Sequence, residues 1–158
     1  MNEQEYRDRM RRRLTEYIRL RAEFGDETAR ERLLDGYVEL QAQRMGPLLT
    51  GGLAEGFRMV RPGFAAVGVH IEIVDASTDG VDSAVEILTT CECRATCEAV
   101  GTSEPLAVLC ELDNEAARRA FPDLSVEVVR QQIRGAHVCV FRYSRDRAGL
   151  DAAEESLR

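Results

Sequence analysis

Apolar residues recur along the first quarter of the chain with the period of a helix. Tyr6, Met10, Leu14, Tyr17 and Ile18 fall on one face, and Gly25 marks a stop. The run Thr28 to Glu31 (TARE) has the form of a capping box. It opens a second stripe of Leu33, Leu34, Tyr37, Val38, Gln41 and Met45, which Gly46-Pro47 ends. With only a short link around Gly25, residues 1–47 are expected to form an antiparallel helical pair. Residues 48–65 carry Gly51-Gly52, Gly56 and Pro62-Gly63 and read as a broken helix leading into a loop.

The period then changes to two. Val67, Val69, Ile71 and Ile73 alternate with Gly68, His70 and Glu72, as in a half-buried strand. A polar turn (DASTDGVD) and a second strand over about 84–90 complete a hairpin. A short helix is expected over 91–100 and a longer one over 104–121. Beyond Pro122-Asp123, SVEVVRQQ and HVCVFRY read as a second hairpin around Arg134-Gly135. The pattern predicts one α+β domain over 1–158: the helical pair at 1–47, an antiparallel sheet of two hairpins covered by helices over 66–144, and a polar tail at 146–158.

Charge narrows the function classes. The 28 acidic against 21 basic residues give a net charge of −7, which argues against a general nucleic-acid binder. Arg9, Arg11, Arg12 and Arg13 lie among acids on a helical pattern and read as a solvated face, with an anion or partner patch as the alternative. No run approaches the roughly 18 apolar residues of a membrane span. The first residues lack an apolar leader core, so a cytoplasmic protein is expected. In a reducing compartment its five cysteines should be thiols, ligands or catalysts rather than staples.

Three of those cysteines crowd into CECRATC, residues 91–97. Cys91 stands where the strand pattern ends and a helix begins, sharing a side with Val85, Ile87 and Thr89. A thiolate there is stabilised by free backbone N–H groups and becomes reactive. Cys93 and Cys97, four apart, share a helical face; that spacing can hold a metal but also suits ordinary core packing, and the two read as helix packing or local redox neighbours. On the last strand, alternation aligns His137, Cys139, Phe141 and Tyr143. On the helix before it, Asp113 shares a stripe with Leu109 and Cys110. Asp113 could cap a loop or pair an arginine such as Arg130, or it could orient a histidine or hold a substrate amine. His70, beside Glu72 on the polar side of its strand, reads as a surface residue. There is no CxxC pair, no iron–sulfur spacing, and no GxSxG, P-loop or GxGxxG motif.

Cys91, then Cys110 with Asp113 as C-x-x-D, then Gly135-Ala136-His137-Val138-Cys139-Val140-Phe141-Arg142, resembles the L-2-amino-thiazoline-4-carboxylic acid hydrolase-like family. The link EFGDETA is similar too, and the resemblance runs from about residue 10 to residue 144. It implies an α+β domain akin to the vinyl-reductase-type small-ligand-binding domains. Some of those bind zinc through Glu-x-x-Cys and a later Cys. Here Val128 and Gln131 stand at the first two positions, and only Cys139 remains. The implied activity is hydrolytic opening of a cyclic, amidine-like thiazoline.

Three functions follow as expectations. In the first, a hydrolase acts on a C–N or C=N bond of a small heterocycle or amide. Cys91 or Cys139 attacks, His137 shuttles the proton and Asp113 orients the histidine or binds a cationic group, with Cys110 in the same pocket. In the second, Cys91, Cys110 and Cys139 hold zinc or an iron–sulfur cluster, with His137 or Asp113 as a further ligand. In the third, the pocket binds a small ligand without turnover. The expected partner is a small-molecule substrate, with a homodimer left open and neither nucleic acid nor membrane involved.

Overall fold

A computed structural model describes residues 2–147. Helix α1 spans Glu3–Phe24. Its first turn is closed by a capping box in which Asn2 Oδ1 accepts from the Glu5 N–H and Glu5 Oε2 accepts from the Asn2 N–H, each at 2.9 Å. Gly25, at φ 85°, ends it. The expected second helix is two helices: α2 spans Asp26–Leu34 and α3 spans Tyr37–Met45. Gly36 separates them at φ 70°, a left-handed backbone that glycine adopts without steric cost. Residues 1–47 are thus three helices rather than a pair. Thr28 lies inside α2, so its TARE run caps nothing.

A 3-10 turn (Gly46–Leu49) leads to α4 (Leu53–Met59) and α5 (Arg61–Ala65). Strand β1 (Ile71–Asp75) begins later than alternation suggested, because Gly68 at φ 80° interrupts the extended backbone between buried Val67 and Val69. It continues through β2 (Val81–Leu88), α6 (Glu92–Val100), α7 (Val108–Ala120), β3 (Ser125–Arg130) and β4 (Cys139–Asp146). Helix α7 starts four residues after the expected position, beyond Pro105. Asp146, assigned to the polar tail, ends β4, and the rest of that tail from 148 lies outside the described residues.

The four strands form one antiparallel sheet in the order β1-β2-β4-β3, so two hairpins join along β2 and β4. The fold is α+β, as expected. Directly opposed residues share a face, and the register sets Ala84 against Tyr143, Glu86 against Phe141 and Leu88 against Cys139. These six point toward the helices, which reverses the expected face of β2: Val85 and Ile87 lie on the other side, half-buried. Helices and inner face share one apolar core, including Leu14, Tyr17, Leu53, Phe57, Leu112 and Phe141.

One end of the central strand pair, β2 and β4, is tied to the turn before α4 by a buried ion pair. Arg145 donates to Asp82, at 3.0 Å, and to the carbonyls of Leu49 and Gly51, while Asp82 accepts from the Leu53 N–H. Among the described residues, no helix is long and apolar enough to cross a membrane.

Candidate functional site

A cavity of about 190 Å³ lies between the inner face of the sheet and helices α1, α3, α6 and α7. Most of its wall is apolar, supplied by side chains such as Met10, Met45, Phe57, Leu109 and Phe141. Into it come Cys91, Cys93, Cys110 and Cys139, the acids Glu86, Glu92 and Asp113, and the hydroxyls of Tyr6 and Tyr143. Of the expected site residues, Cys91, Cys110, Asp113 and Cys139 therefore meet.

Cys91 occupies the N-cap of α6 and accepts the Arg94 N–H at 3.4 Å. Cys139 lines the same cavity, and its nearness favours the Cys91 anion, with backbone N–H groups adding to that. Together these stabilise the anion against the cost of burial and hold the Cys91 pKa down to about 6. Cys139 is pushed in the opposite direction by the same nearness, so it keeps its proton beside the Cys91 thiolate. The Gln132 N–H approaches Cys139 Sγ at 3.3 Å and fixes that side chain.

Cys93, read as helix packing, belongs to the site. Its sulfur is 2.9 Å from Cys110 Sγ, joining α6 to α7. That contact and burial raise the Cys110 thiol well above its usual range. The sequence offered no signal for it, because the pairing crosses two helices. Cys97 instead donates to the Leu106 carbonyl at 3.7 Å, as a packing thiol would.

His137 is not part of this arrangement. Residues 132–134 form a 3-10 turn ending at Gly135 (φ 94°), and the strand starts only at Cys139. Alternation does not reach back to position 137, and the imidazole is exposed, away from the cavity wall.

Asp113 stands at the cavity mouth, about half exposed, and its partner is Arg13 rather than Arg130. Arg13 Nη1 donates to it at 3.0 Å, and the Tyr37 hydroxyl donates to the same oxygen. Arg13 itself is largely buried, with its guanidinium 3.7 Å from the centre of the Tyr37 ring. It therefore leaves the solvated arginine face to its neighbours Arg11 and Arg12.

Glu86 was missed. It sits between Ala84 and Leu88 on the buried face of β2, 9% exposed, with the Tyr143 hydroxyl donating at 3.3 Å. Desolvation raises its pKa to about 7, so near neutrality both its forms are populated. The available signal was an acid within an apolar strand, and it was obscured by assigning the odd-numbered face to the interior. Burial also raises Glu92, the next residue after Cys91.

Two further cavity residues carry unsatisfied polar atoms. Gln41 Oε1 and Asn114 Nδ2, on side chains that are 9% and 5% exposed, have no hydrogen-bond partner among the described residues. Buried polar atoms of this kind call for an explanation, and a polar ligand is one.

The cysteines do not fit a metal. Cys110 pairs with Cys93, and among the described residues no three His, Cys, Asp or Glu side chains converge as ligands. Two sulfurs on tetrahedral zinc, with bonds of about 2.3 Å, stand roughly 3.7 Å apart, farther than the Cys93–Cys110 contact. The chain matches no family model, and neither a curated protein nor a solved structure shows significant similarity to it.

Proposed function

We propose that this chain is a cysteine hydrolase that opens a C–N or C=N bond of a small heterocyclic or amide-like substrate of the thiazoline type. The observation that carries this reading is Cys91 at the N-cap of α6, its sulfur accepting the Arg94 N–H beside a mostly apolar cavity that Cys139 also lines. The resemblance of Cys91, Cys110, Asp113 and Cys139 to the thiazoline hydrolase-like pattern points to the same chemistry.

The roles follow from position. Cys91 Sγ adds to the electrophilic carbon, and the substrate nitrogen takes a proton as the bond to it breaks. Glu86, with a pKa near 7, takes over the acid–base role expected of His137: it gives that proton and then draws one from the water that releases the acyl or imidoyl group from sulfur. Asp113 attracts an amidinium or ammonium group. Gln41 Oε1 is an acceptor for a substrate N–H and Asn114 Nδ2 a donor to a substrate oxygen.

The test is turnover of 2-amino-2-thiazoline-4-carboxylate and related cyclic amidines and amides by wild type, Cys91→Ser and Glu86→Gln. The reading expects a loss of at least about 100-fold in kcat in Cys91→Ser. Wild-type rates in Cys91→Ser and Cys139→Ser together eliminate the covalent mechanism. Tight binding without turnover in wild type transfers the cavity to a ligand-binding module.

A further inference from the structure

Four of the five cysteines are arranged as two dithiols around one cavity, and hydrolysis requires only Cys91. Cys91 and Cys139 line that cavity together, and Cys93 lies 2.9 Å from Cys110. That separation is longer than a disulfide bond, about 2.05 Å, so the two are free thiols in hydrogen-bond contact. Cys93 follows Cys91 by two residues and lines the same cavity, so the pairs adjoin. A stabilised thiolate beside a second thiol is the arrangement that reacts with peroxides and resolves the product.

We propose that the cluster is a four-electron thiol reductant of small apolar hydroperoxides, with Cys91 attacking, Cys139 resolving and Cys93–Cys110 receiving the oxidation. It rests on the same reactive Cys91 thiolate as the hydrolase reading. In the first step, Cys91 sulfur attacks the terminal oxygen of ROOH and the O–O bond breaks. Cys91 becomes a sulfenic acid, and RO⁻ leaves as ROH with a proton from a cavity carboxyl such as Glu92. In the second, Cys139 sulfur displaces the oxygen, forming the Cys91–Cys139 disulfide and water. In the third, Cys93 and Cys110 exchange with that disulfide, giving it two electrons and two protons, and close their own bond across α6 and α7. Cys91 and Cys139 return to thiols and reduce a second hydroperoxide. The apolar wall selects organic over hydrogen peroxide.

The experiment titrates the reduced chain with cumene hydroperoxide, counting alcohol formed and reading intact mass and cross-linked peptides. Wild type is expected to consume two equivalents and lose about 4 Da, and after denaturation to retain a single alkylatable thiol, Cys97. The Cys93→Ser/Cys110→Ser double variant is expected to consume one equivalent, lose about 2 Da and yield the Cys91–Cys139 peptide. Cys139→Ser should give a Cys91 sulfenic acid that dimedone traps. Consumption at the wild-type rate in Cys91→Ser overturns the proposal, as does a wild-type rate no faster than free cysteine. Neither result bears on turnover of cyclic amidines by the reduced chain, so the two readings fail separately. Loss of hydrolysis on oxidation, restored by dithiothreitol, is the expected link between them.

Discussion

Cys91, the N-cap of α6, and Cys139, the first residue of β4, line one cavity and shift each other's pKa in opposite directions. That nearness favours the anion at Cys91 and the thiol at Cys139. The helix N-terminus supplies further N–H donors to the sulfur that carries the charge.

Alkylation should report this difference. Iodoacetamide labelling of Cys91 is predicted to rise through a midpoint near pH 6 and to be complete by neutrality. In Cys139→Ala the first of its stabilising neighbours is gone, so the midpoint should move upward toward the ordinary thiol range. Peptide mass spectrometry of chains labelled at a series of pH values measures both. A midpoint above 8 in wild type contradicts the assignment.

Glu86 makes stability depend on pH with a definite sign. Its folded pKa of about 7 lies above the ordinary 4.5, so the folded chain holds a proton that the unfolded chain releases. Its contribution is most favourable below 4.5. Stability is lost as pH rises from 4.5 to 7 and is flat above, by about 3 kcal/mol in all. Glu86→Gln should remove this slope and unfold at higher denaturant than wild type at pH 8. Chemical denaturation at pH 5 and pH 8 is the check.

The buried pair of Arg145 and Asp82 holds one end of the central strands β2 and β4 to the turn before α4, with side chains 15% and 5% exposed. Arg145→Ala leaves Asp82 charged and the Leu49 and Gly51 carbonyls without their donor. A loss of about 3–5 kcal/mol is expected. Asp82→Ala should cost a similar amount, and the double variant should cost less than the two together, since neither charge is then stranded. Urea unfolding of the three variants gives the cycle directly.

Asn114 should separate binding from folding. Its unpaired Nδ2 is buried at the cavity, so Asn114→Leu removes an unsatisfied donor and should leave the melting temperature unchanged or raise it. The same change should raise KM at least tenfold, with a smaller effect on kcat. A fall in melting temperature with KM unchanged would assign Asn114 to the fold instead.

Much of this architecture was legible in the chain because local patterns carried it. The alternation of Cys139, Phe141 and Tyr143, the strand-to-helix junction at Cys91 and the stripe of Leu109, Cys110 and Asp113 all sit as periodicity placed them. The errors arose where backbone geometry or distant contacts decided. Gly36 and Gly68 broke a helix and a strand whose apolar spacing ran on without them. Both faces of β2 carry apolar residues, so its inward side was set by pairing with β4, and Glu86 went unseen. His137 shared a period with Cys139 but not a strand. The contacts of Cys93 with Cys110 and of Arg13 with Asp113 join residues far apart in sequence, and no spacing rule records such pairs.

The central claim is that Cys91 forms a covalent intermediate, and rapid acid quench of the reduced chain turning over 2-amino-2-thiazoline-4-carboxylate tests it most directly. Digestion and mass spectrometry should find the substrate's mass added to the peptide bearing Cys91 within the first turnover, and no adduct in Cys91→Ser. Steady turnover with an unmodified Cys91, or an adduct on another cysteine, would contradict the account.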